Sequence, residues 1–203
     1  KFNINLMDSN EFIKNFFLGA SEILTKIDKN KIQLIINKLQ KLRNKKGRLF
    51  FLGIGGSAAN SSHAVNDFRK LCSIETYTPT DNVSEFSANI NDSGWDSSFT
   101  NWLKTSNLNS KDIIFVLSVG GGNKLKKVST NIIKAIELAK KNKAQVISIV
   151  GKSDGYAAEN SDVCVKIPLV NKKLITPYSE SFQSLLLHCI VSSPKLQIKK
   201  TKW

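Results

Sequence analysis

The chain holds two histidines, His63 and His188, and their neighbours decide what chemistry they could do. Imidazole suits proton transfer near neutral pH and is also a common metal ligand. His63 stands four residues before Asp67, a spacing that puts both on one face of a helix. Such a pair serves either as an ordinary side-chain hydrogen bond or as half of a metal site. His188 is flanked by Leu185, Leu186, Leu187 and Ile190, the setting of a satisfied buried histidine. Yet both histidines fall on predicted helices beside one sheet, and one lies just beyond a glycine loop. That placement points to a shared polar site.

Two glycine-rich loops supply a second kind of chemistry. Gly53-Ile54-Gly55-Gly56-Ser57 and Ser118-Val119-Gly120-Gly121-Gly122 each follow a short apolar run. Glycine lets the backbone approach a ligand closely, and a following helix offers free amides and a positive dipole end to an anion. Neither loop continues into Gly-Lys-Ser/Thr, so neither is a Walker loop. The first also lacks the third glycine of the dinucleotide fingerprint. Two such loops at equivalent strand ends favour a phosphate or another anion. Their candidate contacts are Gly55, Gly56 and Ser57, then Ser118, Gly120 and Gly121.

The elements that must position these residues are legible in the apolar pattern. Ser9 to Ile27 places Phe12, Phe16, Phe17, Leu18, Ile23 and Leu24 at near-helical spacing after a Ser9 cap. A second helix runs from about Lys31 to Lys46, with Ile32, Leu34, Ile35, Leu39 and Leu42 inward. Apolar runs beginning at Arg48, Asp112, Ala144 and Val163 read as buried parallel strands, and Ser73 to Tyr77 adds a fifth. A helix from Ser129 to Lys141 lies between two of them. The last helix spans Pro177 to Ser192, with Thr176 as cap, proline at its first position and Pro194 as stop. Strands alternating with helices predict an α/β fold with a doubly wound, five-stranded parallel sheet. In such a sheet ligands bind beyond the carboxyl ends of the strands, where both glycine loops fall.

Composition narrows the function classes. At 203 residues one domain is expected, with helices over 9–46, a sheet core over 48–168, the long helix over 177–192 and a tail over 195–203. The 41% apolar and 23% charged fractions are those of a folded chain. No apolar stretch approaches the roughly 20 residues that span a bilayer, and Lys1 to Ser21 lacks the features of a signal peptide. Cys72, Cys164 and Cys189 stand apart and odd in number, which predicts reduced thiols in the cytoplasm. The net charge of +14 invites a nucleic-acid reading, but arginine occurs only at 43, 48 and 69. Lysines are spread along the chain and gathered in its tail, between Lys195 and Lys202. That pattern is a solvated surface, so neither nucleic acid nor membrane is expected as a partner.

Gly53–Ser57 with His63, the run Asn91-Asp92-Ser93-Gly94-Trp95, and Ser118 before a glycine loop resemble the bacterial phosphoheptose isomerases of the SIS-domain (sugar isomerase) family. The resemblance covers about 10–192. It implies interconversion of sedoheptulose 7-phosphate and D-glycero-D-manno-heptose 7-phosphate, feeding surface-polysaccharide synthesis. It also implies one zinc ion per subunit and a homotetramer with sites at subunit interfaces. By position, His63 matches a metal ligand, and His188 matches a residue that is both ligand and proton-transfer group. Asp67 replaces a glutamate that is ligand and base, and Glu180 replaces a glutamine ligand. Asp92 matches a substrate-site aspartate, while Ser57, Ser118 and Ser129 match phosphate-site serines.

Three departures from that pattern stand out. Asp67 is shorter than glutamate by about 1 Å, a misplacement worth about 100-fold in rate. Ser118-Val119-Gly120 lacks two hydroxyls of the family's Ser-Thr-Ser loop, and Lys124, Lys126 and Lys127 are expected to supply anion contacts instead. Glu180 in place of glutamine adds a negative charge, which would tighten a divalent cation. Helix geometry bears on it too, since Glu180 lies eight residues before His188, about 12 Å along a helix. It reaches a shared ion only by long reach, a distorted turn or a second subunit; otherwise it is a favourable charge at its helix's N-terminus. SIS domains also include phosphosugar sensors and adaptors that bind the bacterial replication initiator, which is the alternative function class.

Overall fold

The apolar runs become the strands of one parallel sheet. A computed structural model describes residues 8–201; Lys1–Met7 and the end of the lysine-rich tail, Lys202 and Trp203, lie outside it. The strands are β1 (Leu49–Leu52), β2 (Thr76–Tyr77), β3 (Ile113–Ser118), β4 (Gln145–Val150) and β5 (Val163–Lys166). Their order is β2-β1-β3-β4-β5, with every neighbour parallel. All six residues of β3 are buried, which is why this central strand reads as a continuous apolar run and not as an alternation.

Side-chain alternation divides the core into two layers. Phe51, Phe115, Leu117, Ile149 and Val165 face α1 (Ser9–Lys26), α2 (Lys29–Asn44), α3 (Gly56–Cys72) and α8 (Ile175–Val191). Phe50, Leu52, Ile114, Val116 and Val146 face the opposite layer, which includes α5 (Ser98–Thr105), α6 (Thr130–Lys141) and α7 (Tyr156–Asn160). Between β2 and α5 lies α4 (Val83–Ser93). The predicted doubly wound fold is therefore present. Among the described residues no helix is long and apolar enough to cross a membrane.

Several local expectations are corrected. Asp8, not Ser9, is the cap residue of α1, and it makes no side-chain capping bond. Of the six apolar residues at near-helical spacing on α1, Ile23 is buried and Phe16 half-buried; Phe12, Phe17, Leu18 and Leu24 are exposed. The reason is geometric: α1 is apolar on several sides, and the sheet can cover only one. Leu34 of α2 is likewise exposed. The last helix starts at Ile175, through a 3-10 turn at Lys172–Leu174, so Thr176 is inside it and Pro177 is its third residue. Proline is tolerated there because the first-turn amides have no intrahelical partner.

One polar contact pins β1 to β3 at the end of the sheet away from the glycine loops. The Asp112 carboxylate, 2% exposed, accepts from Arg48 backbone N, Nε and Nη2 at 3.1, 3.2 and 2.7 Å, and from Asn109 N at 3.0 Å. That bonding holds the Arg48 guanidinium above its ordinary pKa. Asp112→Asn turns one acceptor into a donor facing donors. It is expected to cost about 1.5–3 kcal/mol, read as a lower urea midpoint at unchanged slope.

Candidate active site

The strand order reverses between β1 and β3, since β1 leads outward to β2 while β3 leads to β4 and β5. That switch point is where an open parallel sheet leaves a crevice for ligands. The loop after β1 runs through Gly55, whose φ of +62° suits glycine, into the first turn of α3. The loop after β3 is closed on itself, with Gly121 N donating to Ser118 Oγ at 2.9 Å. It is closed on α7 as well, whose Tyr156 and Ala157 amides donate to Gly122 and Gly121 carbonyls at 2.9 and 2.8 Å.

α3 carries His63 and Asp67 one turn apart, and α8 packs against it with His188. The two histidine Nε2 atoms are 2.9 Å apart, with the rings edge to face. Asp67 Oδ2 lies 3.3 Å from His63 Nε2 and 3.7 Å from His188 Nε2. The other carboxylate oxygen accepts from Asn66 Nδ2 at 3.1 Å, which orients it. The imidazoles are about half exposed and the carboxylate largely covered. One ligand atom from each residue falls within 4.8 Å of the others, so the three form a group able to hold a metal ion. A tetrahedral zinc with bonds of about 2.0–2.1 Å separates its ligand atoms by about 3.3 Å, close to the mean of these distances. The donor set fits.

Glu180 stands apart from this trio. Its carboxylate lies over Gly56, where a Cβ would come within 2.4 Å of the Glu180 Cδ and Oε2. It therefore sits at the N-terminus of α3, a favourable place for a negative charge. It is not in the first turn of its own helix, because α8 starts two residues earlier than expected. Eight residues of α8 separate it from His188, about 12 Å of rise.

The predicted phosphate contacts are only partly gathered. Ser57 is buried and donates to Gln183 Oε1 at 2.9 Å, where Asn60 Nδ2 also donates at 3.3 Å. Gln183 is fully buried, and its Nε2 has no partner among the described residues. Sequence reading missed Gln183 and Asn60; the available signal was a glutamine at helical spacing with the core-facing Phe182, Leu186 and Leu187. Ser129 is the left-handed residue before α6, with no side-chain capping bond. Asp92 is exposed on the last turn of α4, accepting from Asn91. Lys124 does not turn to the Ser118 loop: its ammonium is 2.7 Å from Glu137 and over the Tyr156 ring. Asn123 and Val128 pair there as a short hairpin, with Lys126 and Lys127 exposed on its turn.

Gly155 is a point of close approach in this loop system. A Cβ there would fall 2.0 Å from Gly120 O and 3.0 Å from Gly120 C, both backbone atoms. Gly155→Ala must push the Ser118 loop outward. The expected cost is about 1–3 kcal/mol, with a lower melting temperature as the measurement.

Comparison with known proteins agrees with this architecture. The profile of the SIS domain family matches residues 15–151. A lincomycin biosynthesis protein of Streptomyces lincolnensis is 31% identical over 73% of this chain and 56% of its own length. A phosphoheptose isomerase of Rhodospirillum rubrum is 30% identical over 60% of this chain and 64% of its own. The chain thus spans between half and two thirds of those two relatives. The solved phosphoheptose isomerase of Neisseria gonorrhoeae superposes with a TM-score of 0.78 at 20% identity, over 91% of this chain and 97% of that one. With the five-stranded parallel sheet and the profile match over most of its length, the chain belongs to the SIS domain family.

Proposed function

We propose that this protein is a phosphosugar aldose–ketose isomerase acting through an enediol, and that its substrate is sedoheptulose 7-phosphate. The product on this reading is D-glycero-D-manno-heptose 7-phosphate, for surface-polysaccharide heptose. The observation that carries it is the meeting of His63, Asp67 and His188 on α3 and α8. The similarity to a phosphoheptose isomerase of Rhodospirillum rubrum supports the choice of reaction. The whole of 1–203 is taken as one SIS unit.

The reaction moves a proton between C1 and C2, and it needs a base and a group that stabilises the oxyanion. Asp67 and His188 are the proposed proton-transfer pair, 3.7 Å apart and able to serve neighbouring carbons. Ser57, Ser118, Ser129 and the glycines 55, 56, 120 and 121 are the proposed phosphate-end contacts, and Asp92 a sugar contact. His63, Asp67 and His188 would hold the zinc, with Glu180 a fourth ligand only through another subunit. Bound there, zinc supplies polarisation of the carbonyl oxygen.

A homotetramer is the proposed assembly. Phe12, Ile13, Phe17, Leu18 and Leu24 of α1 and Leu185 of α8 are exposed apolar groups that subunit contact would cover. The cytoplasm is the compartment we assign, on three unpaired cysteines. The test is an isomerase assay on sedoheptulose 7-phosphate, with and without chelator, on wild type and His63→Ala. Turnover that falls in both the chelator and the variant supports the proposal. Binding of the sugar phosphate without turnover assigns the protein to the sensor class.

A further inference from the structure

A cleft lined by neither the trio nor the two glycine loops lies beyond the carboxyl ends of β4 and β5. It encloses about 590 Å³, within the range of small-molecule sites. The turn after β4 forms one wall, and the chain leaving β5 and entering α8 forms the other. Lys152, Lys166 and Lys172 line it against a single carboxylate, Asp154. Among the described residues none of these three ammonium groups makes an ion pair, whereas Lys124 and Lys134 are both held by Glu137.

The walls are fixed and partly apolar. Gly151 N and Lys152 N both donate to Val119 O, at 3.0 and 2.9 Å, which ties the lysine-bearing turn to the end of β3. Ile167 and Pro168 lie along the opposite side, with Ile167 buried in the core. Ile175, also in the lining, opens α8, a helix with no side-chain cap and no acidic residue in its first turn. Its dipole adds to the lysine charge. Three lysines on the rim of a cleft with an apolar wall suit a phosphate with an organic part.

The cleft is distinct from the histidine centre of the same protomer. Ile175 and His188 are thirteen residues apart on one helix, about 20 Å of rise. A seven-carbon phosphosugar is shorter than that. We propose that this cleft is a second ligand site, built to take a small phosphate ester and separate from the His63–Asp67–His188 centre.

Calorimetric titration of the full chain with pyrophosphate, ribose 5-phosphate and ADP tests this. Wild type is expected to bind at least one of the three, less tightly as salt rises. The triple variant Lys152→Ala, Lys166→Ala, Lys172→Ala should bind about tenfold more weakly or worse. Asp154→Asn should bind more tightly, a gain that misfolding cannot produce. His63→Ala should leave the affinity unchanged. A preference for ribose 5-phosphate that the triple variant loses assigns a sugar phosphate to the cleft, and a preference for ADP that it loses assigns a nucleotide. The proposal is overturned if no probe binds at millimolar concentration, if the triple variant keeps wild-type affinity, or if His63→Ala abolishes binding.

Discussion

Replacing His188 with glutamine is expected to lower isomerase turnover by about 10²- to 10⁴-fold, the contribution of a positioned acid–base group. Glutamine keeps a polar tip of similar reach but cannot take up and return a proton. The same change removes one of the three ligand atoms gathered between α3 and α8, so divalent-metal content should fall with it. His63→Ala separates the two roles. It removes a ligand while leaving the Asp67–His188 pair in place, 3.7 Å apart. Rates on sedoheptulose 7-phosphate, together with metal content by mass spectrometry, give the comparison. Full turnover by His188→Gln would end its assignment as a proton-transfer residue.

Phe115→Ala is expected to cost about 3–5 kcal/mol, a large part of the roughly 5–15 kcal/mol that a domain has in total. Phe115 is fully buried on the central strand and stacks on Phe51 with ring centroids 4.9 Å apart. Phe51 in turn meets Phe68 of α3 at 5.5 Å. The three rings join the middle of the sheet to the helix that carries His63 and Asp67. Truncating the first leaves a cavity that the second and third cannot fill without moving the helix. Urea unfolding followed by circular dichroism measures the loss. A change below about 1 kcal/mol would mean that the layer repacks, contrary to a rigid stack of three rings.

The sheet was legible because buried parallel strands have a plain signature. Arg48–Ile54, Asp112–Ser118 and Ala144–Val150 are short apolar runs that each lead into glycine. α4 and α5 left no comparable mark. Their inward residues, Phe86 on one and Phe99 and Leu103 on the other, are diluted by serine, asparagine and threonine, so the stretch reads as loop. α1 was legible as a helix, although its apolar residues exceed what one face can bury. At the site, the rarity of histidine and the four-residue spacing to Asp67 drew attention to the three residues that α3 and α8 bring together. Glu180 could not be placed, because spacing along α8 says how far it is from His188 but not that α3's first turn lies beneath it. Gln183 was hidden for a related reason. A buried amide looks like any surface glutamine until its partners, Ser57 and Asn60, are brought in from 126 and 123 residues away.

The two histidines that meet at 2.9 Å are separated by 125 positions in the chain. Contacts of such long sequence separation close late, after local helices and neighbouring strands have formed. During synthesis His63 emerges with most of the sheet still unmade, and it has no counterpart until α8 has left the ribosome and docked. The centre thus cannot be assembled by a partly made or partly folded chain. On the proposed function, reactive chemistry and any metal that attends it are withheld until the fold is complete.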